Sequence, residues 1–434
     1  MALTDAAYDA LFGDDEGRVC RDIPESACRA EPGNAVVHVI GLAATKTGDG
    51  LADPKLVLAW LLNALGAPAF LVGMLVPVRE AGALVPQLFA AGAIRAMPVR
   101  KWAWIAACAV QGLAVAGMGV AALTLAGEPA GWAVLGLLAV FSLARSVASV
   151  SYKDVLGKTV SKARRGTTTG MADTLSAALI LAFGLALSFG AVERSVSLIA
   201  GALFVAAGCW LLAAAVFATL HEEPGATEGG GNAFETSVDQ LRLLRTDRQL
   251  QRFIATRGLL IAVGLAPPYM LTLATARGGT DVSQLGPFIV ASGLASVLSS
   301  YVWGRLSDRS SRRVLIVSGL LAAGALLLAL AAAHLVPPGG VAIAMAGALF
   351  VLTIAYKGVR LGRATHIVDM GGPQTRAAYT ALSNTAIGAL LMLAAGFGAV
   401  ASLAGTWVVL AIFAAMCAAA AWVAAGLEEV QAEP

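Results

Sequence analysis

Runs of about twenty apolar residues recur along this chain, and they leave few options for its fold. A bilayer core ~30 Å thick is crossed by about 20 residues of α-helix, and within it every backbone polar group must be satisfied by protein. Twelve such spans can be read: 36–64, 69–93, 102–125, 131–156, 167–190, 195–220, 252–276, 284–305, 312–334, 340–363, 376–400 and 404–425. Hydrophobic residues make up 58% of the 434, charged residues only 13%, and mean hydropathy is +0.77. That composition lies outside the range of soluble domains. The expected fold class is therefore an all-α polytopic membrane protein.

The one long polar connector, HEEPGATEGGGNAFETSVDQLRLLRTDRQ, divides the spans six and six. Its first part is glycine-rich and flexible; its second spaces Val238, Leu241 and Leu244 as an amphipathic surface helix would. The expected organisation is a tail (1–33), a first bundle (34–220), a linker (221–251), a second bundle (252–425) and a short tail (426–434). The first 33 residues begin acidic and lack the basic start and apolar centre of a signal peptide. Lys and Arg cluster in the connectors on the side of the termini, among them Lys153, Lys158, Lys162, Arg164 and Arg165, while the opposite connectors hold only Arg194 and Arg277. By the positive-inside rule both termini are expected in the cytoplasm, and a bacterial inner membrane is the expected location. The net charge of +3 adds little to this. Of the five cysteines, Cys108, Cys209 and Cys417 fall in apolar runs as core thiols, and Cys20 and Cys28 lie in the polar tail without a metal-binding spacing.

The halves repeat. RGTTTGMADT from Arg165 matches RAAYTALSNT from Arg376 at an offset of 211, which sets Asp173 opposite Asn384; GAIRAMPVRK from Gly92 matches GRLSDRSSRR from Gly304 at an offset of 212. Two segments whose offsets agree to within one residue indicate one duplication. GRLSDRSSRR also resembles the loop between the second and third helices of a half in the major facilitator superfamily, of form G-x-L-[AS]-D-R-x-x-R-R. That resemblance implies twelve helices in two pseudo-symmetric six-helix bundles around a central cavity, bordered by the first helix. It also implies a gating loop in which Gly304 permits close helix approach, Asp308 caps or pairs across the interface, and Arg309, Arg312 and Arg313 stay on the cytoplasmic side. In the first copy Gly92, Arg100 and Lys101 remain, but Ala96 stands at the aspartate position. LAVFSLARSVAS places Arg145 where the family's fourth helix carries an arginine, with Ala148 and Ser149 in place of Gln and Gly; in proton-coupled members that arginine takes part in proton exchange.

The stretch TKTGDGLADPK, residues 45–55, is dense in charge, yet the repeat places it inside the first span. On a helix Lys46, Asp49 and Asp53 share one face. A charge at membrane depth costs roughly 2.5–3.5 kcal/mol, so that face is expected to meet protein or water. With the first two spans turning back near Gly66, Asp53 and Arg79 reach similar depth, as do Asp49 and Arg145. The expected pairs are Asp53 with Arg79 and Asp49 with Arg145, with Glu80 and Lys46 in reserve. Such pairs suit proton coupling, since burial raises a carboxyl pKa and a nearby arginine lowers it; they suit permanent charge neutralisation equally. Asp173 is expected to pair with Arg164 or Arg165 or to reach the cavity. Tyr269 and Asn384 are expected to shape a solute site in a mostly neutral second half, and Tyr356, Lys357 and Arg360 to snorkel to the interface. Pro267 and Pro268 are expected to bend the seventh span.

No GxxxxGK[ST], HExxH or GxSxG is present, and GMGVAA and GFGAVA lie in apolar helices where small residues favour packing. An enzyme is not expected, nor a cofactor, a metal site at the isolated His38, His334 and His366, or a nucleic-acid partner. The expectation is a monomeric secondary transporter of a small organic solute working by alternating access with protons. An uncoupled facilitator or exchanger of an ionic solute is the alternative, and a receptor or assembly factor on the same scaffold another.

Overall fold

In the computed structural model, residues 25–87, 93–94, 96–188, 195–225, 246–278, 285–370 and 376–431 are described. They form fourteen α-helices. The first half contains α1 (Glu25–Leu51), α2 (Val57–Ala64), α3 (Ala69–Leu84), α4 (Lys101–Thr124), α5 (Gly127–Thr159), α6 (Lys162–Ser188) and α7 (Val196–Ala218). The second contains α8 (Arg248–Gly278), α9 (Leu285–Arg309), α10 (Ser311–Leu335), α11 (Pro338–Met370), α12 (Arg376–Ala394), α13 (Gly396–Ala404) and α14 (Thr406–Ala424). Nine candidate spans among the described residues are long and apolar enough to cross a membrane. The remaining three expected spans are α1 with α2, the 16-residue α3, and α9, whose apolar part covers Leu285–Ser299. Side chains such as Leu393, Leu403 and Trp422 stand exposed on the outer surface, where a soluble protein would not tolerate a continuous apolar belt.

Two departures from the sequence expectations are local. Helix α1 begins at Glu25, inside the stretch read as a tail, and continues through Pro32. More consequentially, the first span is broken: α1 stops at Leu51 and α2 starts at Val57. Asp53 precedes Pro54, and a residue before proline is pushed out of the helical region while proline itself has no N–H to donate. Asp53 Oδ1 accepts the N–H groups of Lys55 (2.8 Å) and Leu56 (3.0 Å), which the break leaves without helical partners. By contrast α8 runs unbroken through Pro267 and Pro268. The proposed surface helix of the linker falls on residues 226–245, outside the described residues, as does Cys20.

Aromatic side chains fill the first bundle. Trp104 and Phe217 lie 3.8 Å apart between ring centroids, and Phe141 meets Trp210 edge-on at 5.0 Å. His38 is buried against Tyr152 and Phe217 and hydrogen-bonds Thr159 at 2.8 Å. In the second bundle His366 stacks on Phe253 and hydrogen-bonds Ser311.

On the face carrying the chain ends, each half is closed by the same device. The carboxylate of Glu222, just beyond α7, accepts the N–H groups of Arg100 (3.0 Å) and Lys101 (2.6 Å) and pairs with Lys158 at 3.1 Å. It thereby covers the start of α4, where a helix presents free N–H groups and partial positive charge. In the second half Ser310 caps α10 by accepting the Arg313 N–H and is itself bonded to Glu429, beyond α14. Gln431 accepts from the Ser311 N–H and donates to Asp369. On the opposite face α3 meets α13 backbone to backbone: a Cβ on Gly398 would lie 2.6 Å from the Phe70 carbonyl oxygen, and one on Gly73 would lie 2.8 Å from the Gly398 Cα. Asn63 also donates to Thr272 there, at 3.0 Å. The bundles are thus sealed together on that face.

Candidate functional site: a two-chamber cavity between the bundles

Between the halves lies a cavity in two adjoining chambers of about 280 and 580 Å³. Lys55, Glu80, Tyr356 and Arg360 line both. The smaller chamber is bounded by the helix break and holds Asp49, Asp53, Arg79 and Lys357. The larger extends toward the face of the chain ends, between Gln87, Ser149 and Lys153 of the first bundle and Arg257, Arg363 and Asn384 of the second. Among the described residues, the close approach of α3 and α13 at Gly73 and Gly398 lies on the face opposite the one toward which the larger chamber extends.

Several charges of the first bundle are paired among themselves. Asp49 lies between two arginines, its Oδ1 3.1 Å from Arg79 and its Oδ2 2.8 Å from Arg145. Arg79 also stacks over Phe141, 4.9 Å from the ring centroid. The expected pairing of Asp53 with Arg79 is not formed: the broken helix turns Asp53 to its own backbone, and Arg79 takes Asp49 instead. Lys46 pairs with Asp173, so Asp173 meets neither of its expected partners Arg164 and Arg165 and does not line the cavity. Arg165 bonds the carbonyls of Val160 and Gly157. Arg100 pairs with Asp154, so the acid missing at Ala96 has its place taken by Asp154 on α5 and by Glu222.

The second bundle corrects the reading of a mostly neutral half. Tyr356, Lys357 and Arg360 do not snorkel to the interface; they face the chambers, with Lys55 Nζ 4.0 Å from the Tyr356 ring centroid across the gap between bundles. Arg257 and Arg363 join them, and no sequence argument had singled these two out. For Arg363 the signal was one helical turn of spacing, Tyr356, Arg360 and Arg363 recurring at four and three on one face of α11; Arg257 had none of this kind. Arg257 donates to Ser383 and, at 3.2 Å, to Asn384. Tyr269 is buried against Phe413 and the Gly73 seam and lines neither chamber. Of the expected gating loop, Arg309 is exposed and Arg312 and Arg313 lie at the start of α10. Gly92 and the side-chain positions of Gly304 and Asp308 lie outside the described residues.

Outside the membrane-spanning segments, Asp247 sits at the start of α8. Burial pushes its carboxyl up, but the Tyr379 hydroxyl and the N–H groups of Leu250 and Gln249 outweigh that and hold it below its ordinary value.

Comparison with known proteins agrees with this architecture. The family model of the Major Facilitator Superfamily matches residues 40–387. Among solved structures, a nucleoside transporter, NupG, superposes with a TM-score of 0.66 at 13% identity, covering 90% of this chain and 98% of its own. A D-xylose-proton symporter gives 0.65 at 14% identity over 92% and 98%. The xylose transporter XylE from E. coli, in a partially occluded inward-open conformation, gives 0.64 at 14% identity over 94% and 100%. No curated protein matches the chain by sequence.

Proposed function

Since the chain belongs to the major facilitator superfamily of membrane transporters, which are not enzymes, we propose that it carries a small organic solute by alternating access, coupled to protons, across a bacterial inner membrane with both termini cytoplasmic. The observation that carries the coupling is the position of Glu80. Asp49, Arg79 and Arg145 all belong to the first bundle, so a rocking of one bundle against the other leaves that triad intact. Glu80 instead lies within electrostatic reach of Lys55 and Arg79 on its own side and of Arg360 and Arg363 across the interface.

Opening of the opposite face moves the second bundle's arginines away from Glu80. The burial penalty on its carboxylate is then less offset, and it takes up a proton; return of the arginines expels it. Lys55, over the ring of Tyr356, changes partner in the same movement. Asp53 keeps the helix break intact as the wall of the cavity. The D-xylose-proton symporter that superposes on this chain couples, as its name states, a sugar to protons on the same fold. An uncoupled exchanger of an ionic solute is the second reading, favoured by the excess of basic side chains over carboxylates in the cavity.

The test is transport in proteoliposomes under an imposed pH gradient, with sugars, nucleosides and small organic acids offered in turn. Gradient-driven accumulation of one of them is expected, lost in Glu80→Gln while exchange of internal for external solute persists. Accumulation that survives Glu80→Gln refutes the role of this carboxylate, and flux indifferent to the gradient supports the exchanger.

A further inference from the structure

We propose that the solute is an organic oxyanion, a molecule bearing a carboxylate or phosphoryl group, held in the larger chamber by Arg257, Arg360 and Arg363. The proposal rests on the reading of the cavity as a solute path and adds to it the chemical class of the solute.

Charge balance separates the two chambers. The smaller is close to neutral, with Lys55, Arg79, Lys357 and Arg360 facing Asp49, Asp53 and Glu80. The larger is lined by Lys55, Lys153, Arg257, Arg360 and Arg363, and Glu80 is the only carboxylate among its described lining residues. No carboxylate lies within ion-pair distance of Arg257, Arg360 or Arg363 among the described residues. Arg257 is 8% exposed, yet it is held by the neutral oxygens of Ser383 and Asn384, and its Nε has no hydrogen-bond partner among the described residues.

Burying a guanidinium without a counter-charge is costly. A chamber with several of them between low-dielectric walls concentrates anions from the solution it opens to. Arginine rather than lysine dominates, and its planar fork matches the two oxygens of a carboxylate or phosphoryl group. Ser383 and Asn384 fix the Arg257 plane, which lowers the entropy lost when an anion docks. Much of the rest of the wall is apolar, with Leu260, Ile261, Ile387 and Leu391 opposite Val76 and Leu84, beside the polar Gln87, Ser149 and Thr380. That wall suits a carbon skeleton better than an inorganic ion. An anion seated on Arg360 and Arg363 also competes with Glu80 for them, so its arrival frees the carboxylate that the coupling scheme requires to take a proton.

The experiment is calorimetric titration of the full-length protein in detergent with three pairs of an anion and a neutral analogue: benzoate and benzamide, succinate and succinamide, glucose 6-phosphate and glucose, with xylose and adenosine as further neutral probes. At least one anion is expected to bind while its neutral partner does not, more weakly as salt is raised. Arg257→Gln and Arg363→Gln are each expected to weaken it by about tenfold or more, and Arg363→Lys by less than Arg363→Gln. Binding by phosphoryl but not carboxylate probes, or the reverse, decides between the two head groups. The proposal is overturned if a neutral probe binds as well as its anionic partner, if no anion binds up to about 10 mM, or if both glutamine variants, folded by their melting temperatures, bind the anion unchanged. Because titration requires no gradient, anion binding without proton-driven flux removes the coupling scheme and leaves this assignment standing. Proton-driven flux of a neutral sugar alone does the reverse.

Discussion

In the first bundle Asp49 sits between Arg79 and Arg145, Lys46 holds Asp173, and Lys158 joins Asp154 and Glu222, whereas Arg257, Arg360 and Arg363 of the second bundle turn to neutral oxygens or to the open chamber. Both bundles carry charge beside the same cavity. The first pairs most of its ion-paired charges within its own helices and presents Lys55, Glu80 and Lys153 to the chamber, whereas the second presents its arginines there without a carboxylate partner among the described residues. The difference separates integrity from recognition, and it implies that mutations of like charge at like depth will have unlike consequences.

The largest expected contrast is in stability. Asp49→Ala leaves two partly buried guanidinium groups without their shared carboxylate and is expected to cost about 3 kcal/mol, seen as a lower melting temperature in detergent and reduced membrane yield. Arg363→Gln, which breaks no ion pair, is expected to shift stability by under about 0.5 kcal/mol. Equal losses at the two positions would abolish the distinction between the bundles. A smaller effect is expected at the first bundle's clasp: Glu222→Gln retains one acceptor for the start of α4 but loses the second acceptor and the charge facing Lys158, for about 1–2 kcal/mol, measurable in the same melts.

The smallest effect concerns a carboxylate of the second half that is satisfied at home. Tyr379→Phe removes the hydroxyl that helps hold the Asp247 carboxyl below its ordinary value. A depressed native value contributes stability above the unfolded pKa of about 3.9, which is lost as pH falls through the native one. The variant is therefore expected to be less stable by about 1 kcal/mol at neutral pH and to match the parent in acid. A penalty that persists below about pH 3 would show that the ring, and not the ionised pair, is responsible.

Much of the architecture was legible from local pattern. The apolar spans, the offset near 212 and the turn at Gly66, whose φ of +75° a glycine readily adopts, follow from hydropathy and spacing alone. Of TKTGDGLADPK, read as part of the first span, residues 45–51 lie in α1 and 52–55 in the break that follows it. The partners of its charges were less legible. Matching depth brought Asp49 to Arg145's level, but the equal match of Asp53 to Arg79 failed because Asp-Pro ends α1 and the freed N–H groups of Lys55 and Leu56 claim the carboxylate. Pro54 follows Asp53 in the sequence, and the break it imposes overrides helical spacing.

What the sequence by itself determined is an all-α, polytopic plan of apolar spans, because that depends on the length and periodicity of contiguous segments. What only the tertiary structure decided is the direction each charge faces. Whether a basic side chain near a helix end snorkels to the interface or lines a cavity depends on which neighbour covers that face of its helix. Arg257 on α8 and Arg360 and Arg363 on α11 converge only when their helices pack beside each other and against α3, since electrostatic fields add in space and not along the chain.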